Sequence, residues 1–224
     1  MNAKSPGATA RALAAEAMGT SILLVAVVGS GIMAERLAGG NEAIALLANT
    51  AATAAALIVL ILVFAPTSGA HFNPAVTLAL ALRGDLGWRL VPGYVGVQIV
   101  GAILGVGVAH FMFDLPLLGA SLKARTGVGV AAGEFVATFG LVGLILVLSR
   151  NNARALPGAV AAWIAGAYWF TSSTSFANPA VTIARSLSDT FTGIRPLDAP
   201  AFIAAEILGA LAACGFFAWL MARK

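Results

Sequence analysis

The sequence predicts an all-α membrane protein, with six transmembrane helices and two re-entrant half-helices arranged as an inverted repeat. Three observations predict it. Of the 224 residues, 60% are hydrophobic and 10% charged, and the mean hydropathy is +0.94. Roughly a quarter of a soluble domain is charged, so the solvent implied here is lipid. Six apolar segments approach the length of about 20 residues that a spanning helix takes. Finally, Asn-Pro-Ala-Val-Thr occurs twice, at Asn73 to Thr77 and at Asn178 to Thr182.

The six segments lie at roughly 12–34, 44–65, 89–112, 130–149, 156–172 and 201–221, separated by Gly, Pro and charged residues. The polar, Arg-containing stretch before Leu13 leads into a long apolar run without a convincing cleavage site, so it reads as a first spanning helix and not a signal peptide. The fifth segment is the weakest, because polar residues begin at Thr171. Two apolar pieces, about 74–82 and 179–187, are too short to span and follow the two Asn-Pro steps. Asparagine is a strong helix N-cap and proline suits the first helical position, so each step opens a short helix. PTSGAHF at 66–72 and TSSTSFA at 171–177, just ahead of them, are poor helix formers.

Charge gives the orientation. With the N-terminus inside, the cytoplasmic side receives Lys4, Arg11, Arg83, Arg89, Arg150, Arg154, Arg223 and Lys224, eight basic residues. The other side receives five: Arg36, Lys123, Arg125, Arg185 and Arg195. That bias puts both termini in the cytoplasm and agrees with an even number of spans. The net charge of +4 is scattered between apolar runs and forms no basic face, which argues against nucleic acid. Cys214, the single cysteine, excludes an internal disulfide and a cysteine-rich metal site.

The chain reads as one domain over 1–224 whose halves, about 11–112 and 130–221, repeat one another. AEAMGT at 15–20 answers GEFVAT at 133–138, and QIVGAILG at 98–105 answers EILGALAA at 206–213. The second Asn-Pro-Ala follows the first by 105 residues, and the other offsets are 118 and 108. Three spans per half force the second half to enter from the opposite side, and such folds place their site near the midplane between repeats. Non-helical backbone at that depth is tolerated only where it is buried in protein or lines a water-filled cavity. Two half-helices entering from opposite faces would bring their positive ends together at the centre, which disfavours cations. Asn73 and Asn178 would offer amide hydrogens to a passing oxygen.

AEAMGT, SGAHFNPAVT, GEFVATFG and the second Asn-Pro-Ala together resemble the aquaporin and glycerol-facilitator family of major intrinsic proteins, over nearly the whole chain. The resemblance implies a pore in each subunit built on Asn73, Pro74, Ala75, Asn178, Pro179 and Ala180, a homotetramer in the cell (plasma or inner) membrane, and passive transport without a cofactor or metal. It implies further that Glu16 and Glu134 brace the pore loops and that His71 lines the cytoplasmic vestibule. Nothing near the two glutamates suggests a nucleophile, so an enzyme is not expected.

The sequence departs from the family where selectivity is set. Most members follow the second Asn-Pro-Ala directly with arginine, where this chain has Val181. Arg185 stands one helical turn on, either as a shifted equivalent or bonded to a loop carbonyl. Spacing assigns the remaining filter positions to Ser175, Gly166 and Thr53, with Ala55 as the alternative to Thr53. All are small and uncharged, so the expected constriction is wide. Asp114, after the third span, is a candidate for the pore mouth. TSFANPAVTIARSLSDTF resembles the variant associated with bacterial arsenic-resistance genes. The expected permeants are water and small neutral solutes such as polyols, urea and metalloid hydroxides including arsenous acid. A strict water channel using Arg185 and a secondary transporter remain the alternatives.

Overall fold

A computed structural model describes residues 6–222; Lys4, Arg223 and Lys224, part of the charge bias, lie outside the described residues. Eight α-helices follow one another: α1 Pro6–Leu37, α2 Glu42–Ser68, α3 Pro74–Leu82, α4 Val91–Met112, α5 Val128–Asn151, α6 Leu156–Phe170, α7 Pro179–Arg185 and α8 Ala199–Leu220. Among the described residues, α1, α2, α4, α5 and α8 are long and apolar enough to cross a bilayer unaided. With 15 residues, α6 is about 22 Å long, and single 3-10 turns at Ala153–Ala155 and Trp88–Leu90 lengthen α6 and α4 at their starts. The short helices α3 and α7 open at the two Asn-Pro steps, as expected.

One boundary differs from the sequence reading. The stretch from Pro66 was expected to be non-helical, yet α2 runs through it to Ser68. A proline in the last turn forfeits little of the ladder, and the helix stops only where Gly69 takes φ 98° and its N–H bonds Ala65 O at 3.0 Å.

The packing is that of two related halves. Helix α1 packs on α2 and α4, and α5 packs on α6 and α8, while α2 against α6 joins the halves. Each half-helix also docks on the last span of the other half, α3 on α8 and α7 on α4. Glycines set the tightest crossings. A Cβ on Gly101 would collide with the Ala17 carbonyl oxygen, and one on Gly209 would lie 2.5 Å from Phe135 O. Ala17 and Phe135 are themselves repeat mates, so the same backbone-to-helix approach is built twice.

Candidate functional site

The site begins with two loops that the chain could not hold alone. Ala70 and Phe72 before α3, and Thr174, Ser175 and Ala177 before α7, all have φ between 49° and 62°. Non-glycine residues pay roughly 1–2 kcal/mol each for that left-handed conformation. In each loop a buried carboxylate takes up the N–H groups this exposes. Glu16 accepts from His71 N at 2.9 Å and Phe72 N at 2.7 Å, and Glu134 from Phe176 N at 2.8 Å and Ala177 N at 2.6 Å. Both glutamates are 0% exposed. In the first half Gln98 Nε2 donates to Glu16 at 2.8 Å and to Thr77 Oγ1 at 2.9 Å. In the second half Glu206 stands at Gln98's place, accepts from Thr182 Oγ1 at 2.7 Å and lies within hydrogen-bonding reach of Glu134. The sequence pairs Gln98 with Glu206 but gives no hint that they buttress the loops.

The half-helices meet at their N-termini. Asn73 Oδ1 caps α3 by accepting from Ala75 N at 2.9 Å, and Asn178 Oδ1 caps α7 by accepting from Ala180 N at 3.0 Å. The two side-chain amides then cross over: Asn73 Nδ2 donates to Ala177 O at 2.7 Å and Asn178 Nδ2 to Phe72 O at 2.8 Å. Each amide has two hydrogens, so one on each asparagine is left for a ligand.

Both asparagines open onto a cavity of about 110 Å³. One wall is loop backbone from Gly69 to Asn73 and from Ser175 to Asn178. The facing wall is apolar and repeats with the fold, Leu23 and Val27 on α1 answering Leu141 and Ile145 on α5. Such a lumen offers polar contact along one side only. His71 lines one end, its Nδ1 3.1 Å from Thr77 Oγ1 and its ring 5.1 Å from that of Tyr94.

The other end carries the candidate filter, and here sequence spacing and structure part. Thr53, Ser175 and Val181 all line the cavity, and Ala55 points away from it. The Ser175 Oγ is buried there without a partner among the described residues. Gly166 does not line the cavity; a Cβ on it would face Phe170. The lining residues of α6 are Leu156, Val160, Ile164 and Tyr168, an i, i+4 ladder. Gly166 lies about 200° around the helix from that face. Tyr168 is the α6 residue beside Thr53, its hydroxyl donating toward Thr53 Oγ1 at 3.5 Å.

The constriction is also charged, contrary to expectation. Val181 and Arg185 share one face of α7, and Arg185 lines the lumen. Its Nε donates to Thr192 O and its guanidinium lies 3.3 Å from the centre of the Phe176 ring. Arg185 is thus bonded to a loop carbonyl and also lines the lumen. The repeat mate of Arg185 is Leu80, which lines the opposite stretch of the lumen. The two half-helices are alike up to that position, and the difference there gives the lumen one cationic end. Asp114 lines neither cavity; it is exposed in the turn after α4, and the acid lining the outer cavity is Glu42.

With this geometry in view, comparison with known proteins is specific. Residues 3–175 match the family model for Major intrinsic protein. Aquaglyceroporin AqpS of Rhizobium meliloti (strain 1021) is 54% identical over 211 residues, covering 94% of this chain and 90% of that protein. The Glycerol uptake facilitator protein of Bacillus subtilis (strain 168) is 36% identical over 98 residues, 38% of this chain and 35% of that one. In fold, the chain is similar to the X-ray structure of the aquaglyceroporin from Plasmodium falciparum, with TM-score 0.76, 20% identity and coverage of 93% and 95%.

Proposed function

The chain belongs to the major intrinsic protein family, and from that premise we propose that it is a passive transmembrane channel for water and small uncharged solutes. The observation that carries the reading is the meeting of two Asn-capped half-helices inside one cavity that is apolar on one side and polar on the other. A solute that sheds water on entry finds amide hydrogens at Asn73 and Asn178 and backbone along the loops, while the apolar wall slips past it. Polyols, urea and metalloid hydroxides such as arsenous acid suit that lining, because each is small, neutral and rich in groups that hydrogen-bond on one side. The aquaglyceroporin name of the R. meliloti relative supports including polyols.

In this reading Asn73, Pro74, Ala75, Asn178, Pro179 and Ala180 form the centre of the pore, and Glu16 and Glu134 hold its loops. Thr53, Tyr168, Ser175, Val181 and Arg185 form the filter, with His71 at the cytoplasmic vestibule. Basic residues on the α3–α4 and α5–α6 connections support cytoplasmic termini in a cell membrane. The exposed apolar faces of the spans suit lipid and the neighbouring subunits of a homotetramer.

Stopped-flow light scattering on proteoliposomes tests the function. Water, glycerol and urea should equilibrate at least about tenfold faster than in protein-free vesicles, without saturation. No acceleration for any of them would sink the channel reading, and saturable, ion-dependent uptake would assign the fold to a carrier. The filter has its own test. Arg185→Ala should extend the range to larger polyols, and Val181→Arg should narrow it toward water. Unchanged ranges in both variants would remove α7 from the filter.

A further inference from the structure

Three cations converge beyond the filter, and three consecutive carbonyls hold them. Phe191 O accepts from Lys123 Nζ at 2.7 Å, Thr192 O from Arg185 Nε, and Gly193 O from Arg125 Nε at 2.8 Å. All three cations line an outer cavity of about 330 Å³, and Arg185 lines this cavity and the lumen alike. Among the described residues the one ion pair within contact distance is Arg195 with Asp198, and Asp198 reaches the collar through the backbone N–H of Arg125 and not through its guanidinium. Glu42 is the only acid among the described residues on the wall of that cavity.

Arg125 is fixed more fully than a surface arginine. The loop that carries it is zipped to the loop after α7 by Gly119 N to Leu187 O, Ser121 N to Ser186 O and Arg195 N to Lys123 O. Its own N–H bonds Asp198 Oδ2 at 2.9 Å. The guanidinium reaches inward to Ser173 O at 3.2 Å and Thr174 Oγ1 at 3.4 Å, and lies 5.1 Å from the centre of the Phe176 ring on which Arg185 also rests. One aromatic ring thus seats two guanidinium groups, one from the filter and one from a loop outside it.

We propose that Arg125 is a second selectivity residue, a loop-borne charge that acts with Arg185 to exclude cations from the outer end of the pore. The proposal rests on the channel reading. A fixed charge at a narrow, poorly screened mouth raises the barrier for every cation behind it. At about 10 Å and an effective dielectric near 20, a unit charge is worth roughly tenfold in permeability. The cost of seating two guanidinium groups together is met by carbonyl acceptors and the face of Phe176 instead of by a carboxylate, which would cancel the field.

Arg125→Gln keeps a polar side chain of similar reach and removes the charge. It should raise potassium permeability relative to water about tenfold in reconstituted vesicles. Arg125→Lys should stay near the unsubstituted protein. Because Arg125 also supports the turn at Ser173 and Thr174, charge must be separated from fit within one folded sample. An Arg125→Cys, Cys214→Ala protein serves, treated with thiol reagents that add an aminoethyl or a sulfonatoethyl group. The first should restore cation exclusion and the second should lower it further. If the untreated, cationic and anionic forms give one potassium-to-water ratio, Arg125 is structural and the inference is overturned. Absence of water flux in the unsubstituted protein would instead overturn the channel reading.

Discussion

Glu134→Ala is expected to reduce solute flux to below about a hundredth of the unsubstituted protein. The loop before α7 holds three non-glycine residues in the left-handed region, Thr174, Ser175 and Ala177, at roughly 1–2 kcal/mol each. Against that stand two charge-assisted hydrogen bonds from Phe176 N and Ala177 N, worth roughly 1.5–3 kcal/mol apiece. The carboxylate therefore offsets the strain of the loop almost alone. Removing it forfeits those bonds and leaves two N–H groups unsatisfied where no bulk water reaches. Every 1.4 kcal/mol is about a factor of ten, so losing more than about 3 kcal/mol empties the conducting conformation. Flux per folded protein in vesicles is the measurement, and a variant retaining half of it would refute the brace.

The amide variants sharpen the same prediction. Glu16 faces only donors, namely His71 N, Phe72 N and the Gln98 amide. Glu16→Gln must therefore point its NH₂ at another donor. Glu134 has Glu206 beside it, whose Oε2 has no other partner among the described residues. The NH₂ of Glu134→Gln also faces one of the two backbone N–H groups, but it gains that oxygen as an acceptor, so its flux should exceed that of Glu16→Gln several-fold. Equal losses would mean that the Glu206 carboxyl plays no part.

The half-helices were legible in the sequence because they rest on local chemistry, while the bracing role of Glu16 and Glu134 came from the family resemblance. Asn-Pro announces a cap wherever it stands, and a glutamate in an apolar run demands a partner. The filter was less legible, because it depends on which face of a helix meets the lumen. Counting residues back from Asn178 leads to Gly166, but the left-handed turns of 174–177 alter how much chain the loop consumes, and the ladder ending at Tyr168 is what faces inward. Helical period would have found Tyr168 from Leu156, Val160 and Ile164, and Arg185 from Val181. Arg125 could not have been found that way. Its place depends on pairing between two irregular loops, for which sequence carries no periodic signal.

Gly101→Ala and Gly209→Ala should each lower the melting temperature of the purified protein and cost flux before they cost the fold. A methyl at Gly101 runs into the Ala17 carbonyl, and at Gly209 into Phe135 O at 2.5 Å. Backbone cannot step aside as a side chain can, so α4 must move off α1, or α8 off α5. Overpacking of this kind costs about 1–3 kcal/mol, several degrees for a protein with about 5–15 kcal/mol in hand. The functional cost is steeper because of what the crossings carry. Gln98 sits one turn from Gly101 and reaches Glu16, and Glu206 sits one turn from Gly209 and reaches Glu134. A shift of a few tenths of an ångström at the glycine stretches those hydrogen bonds, and through them the grip on His71 and Phe72 or on Phe176 and Ala177. Each alanine variant should therefore remain monodisperse in detergent while its flux falls about tenfold. Gly96→Ala provides the comparison, since it stands on the same helix α4 and a Cβ there meets nothing within 4 Å. If all three variants melt and conduct alike, the close approach at Gly101 and Gly209 is not what aligns the carboxylates with the pore loops.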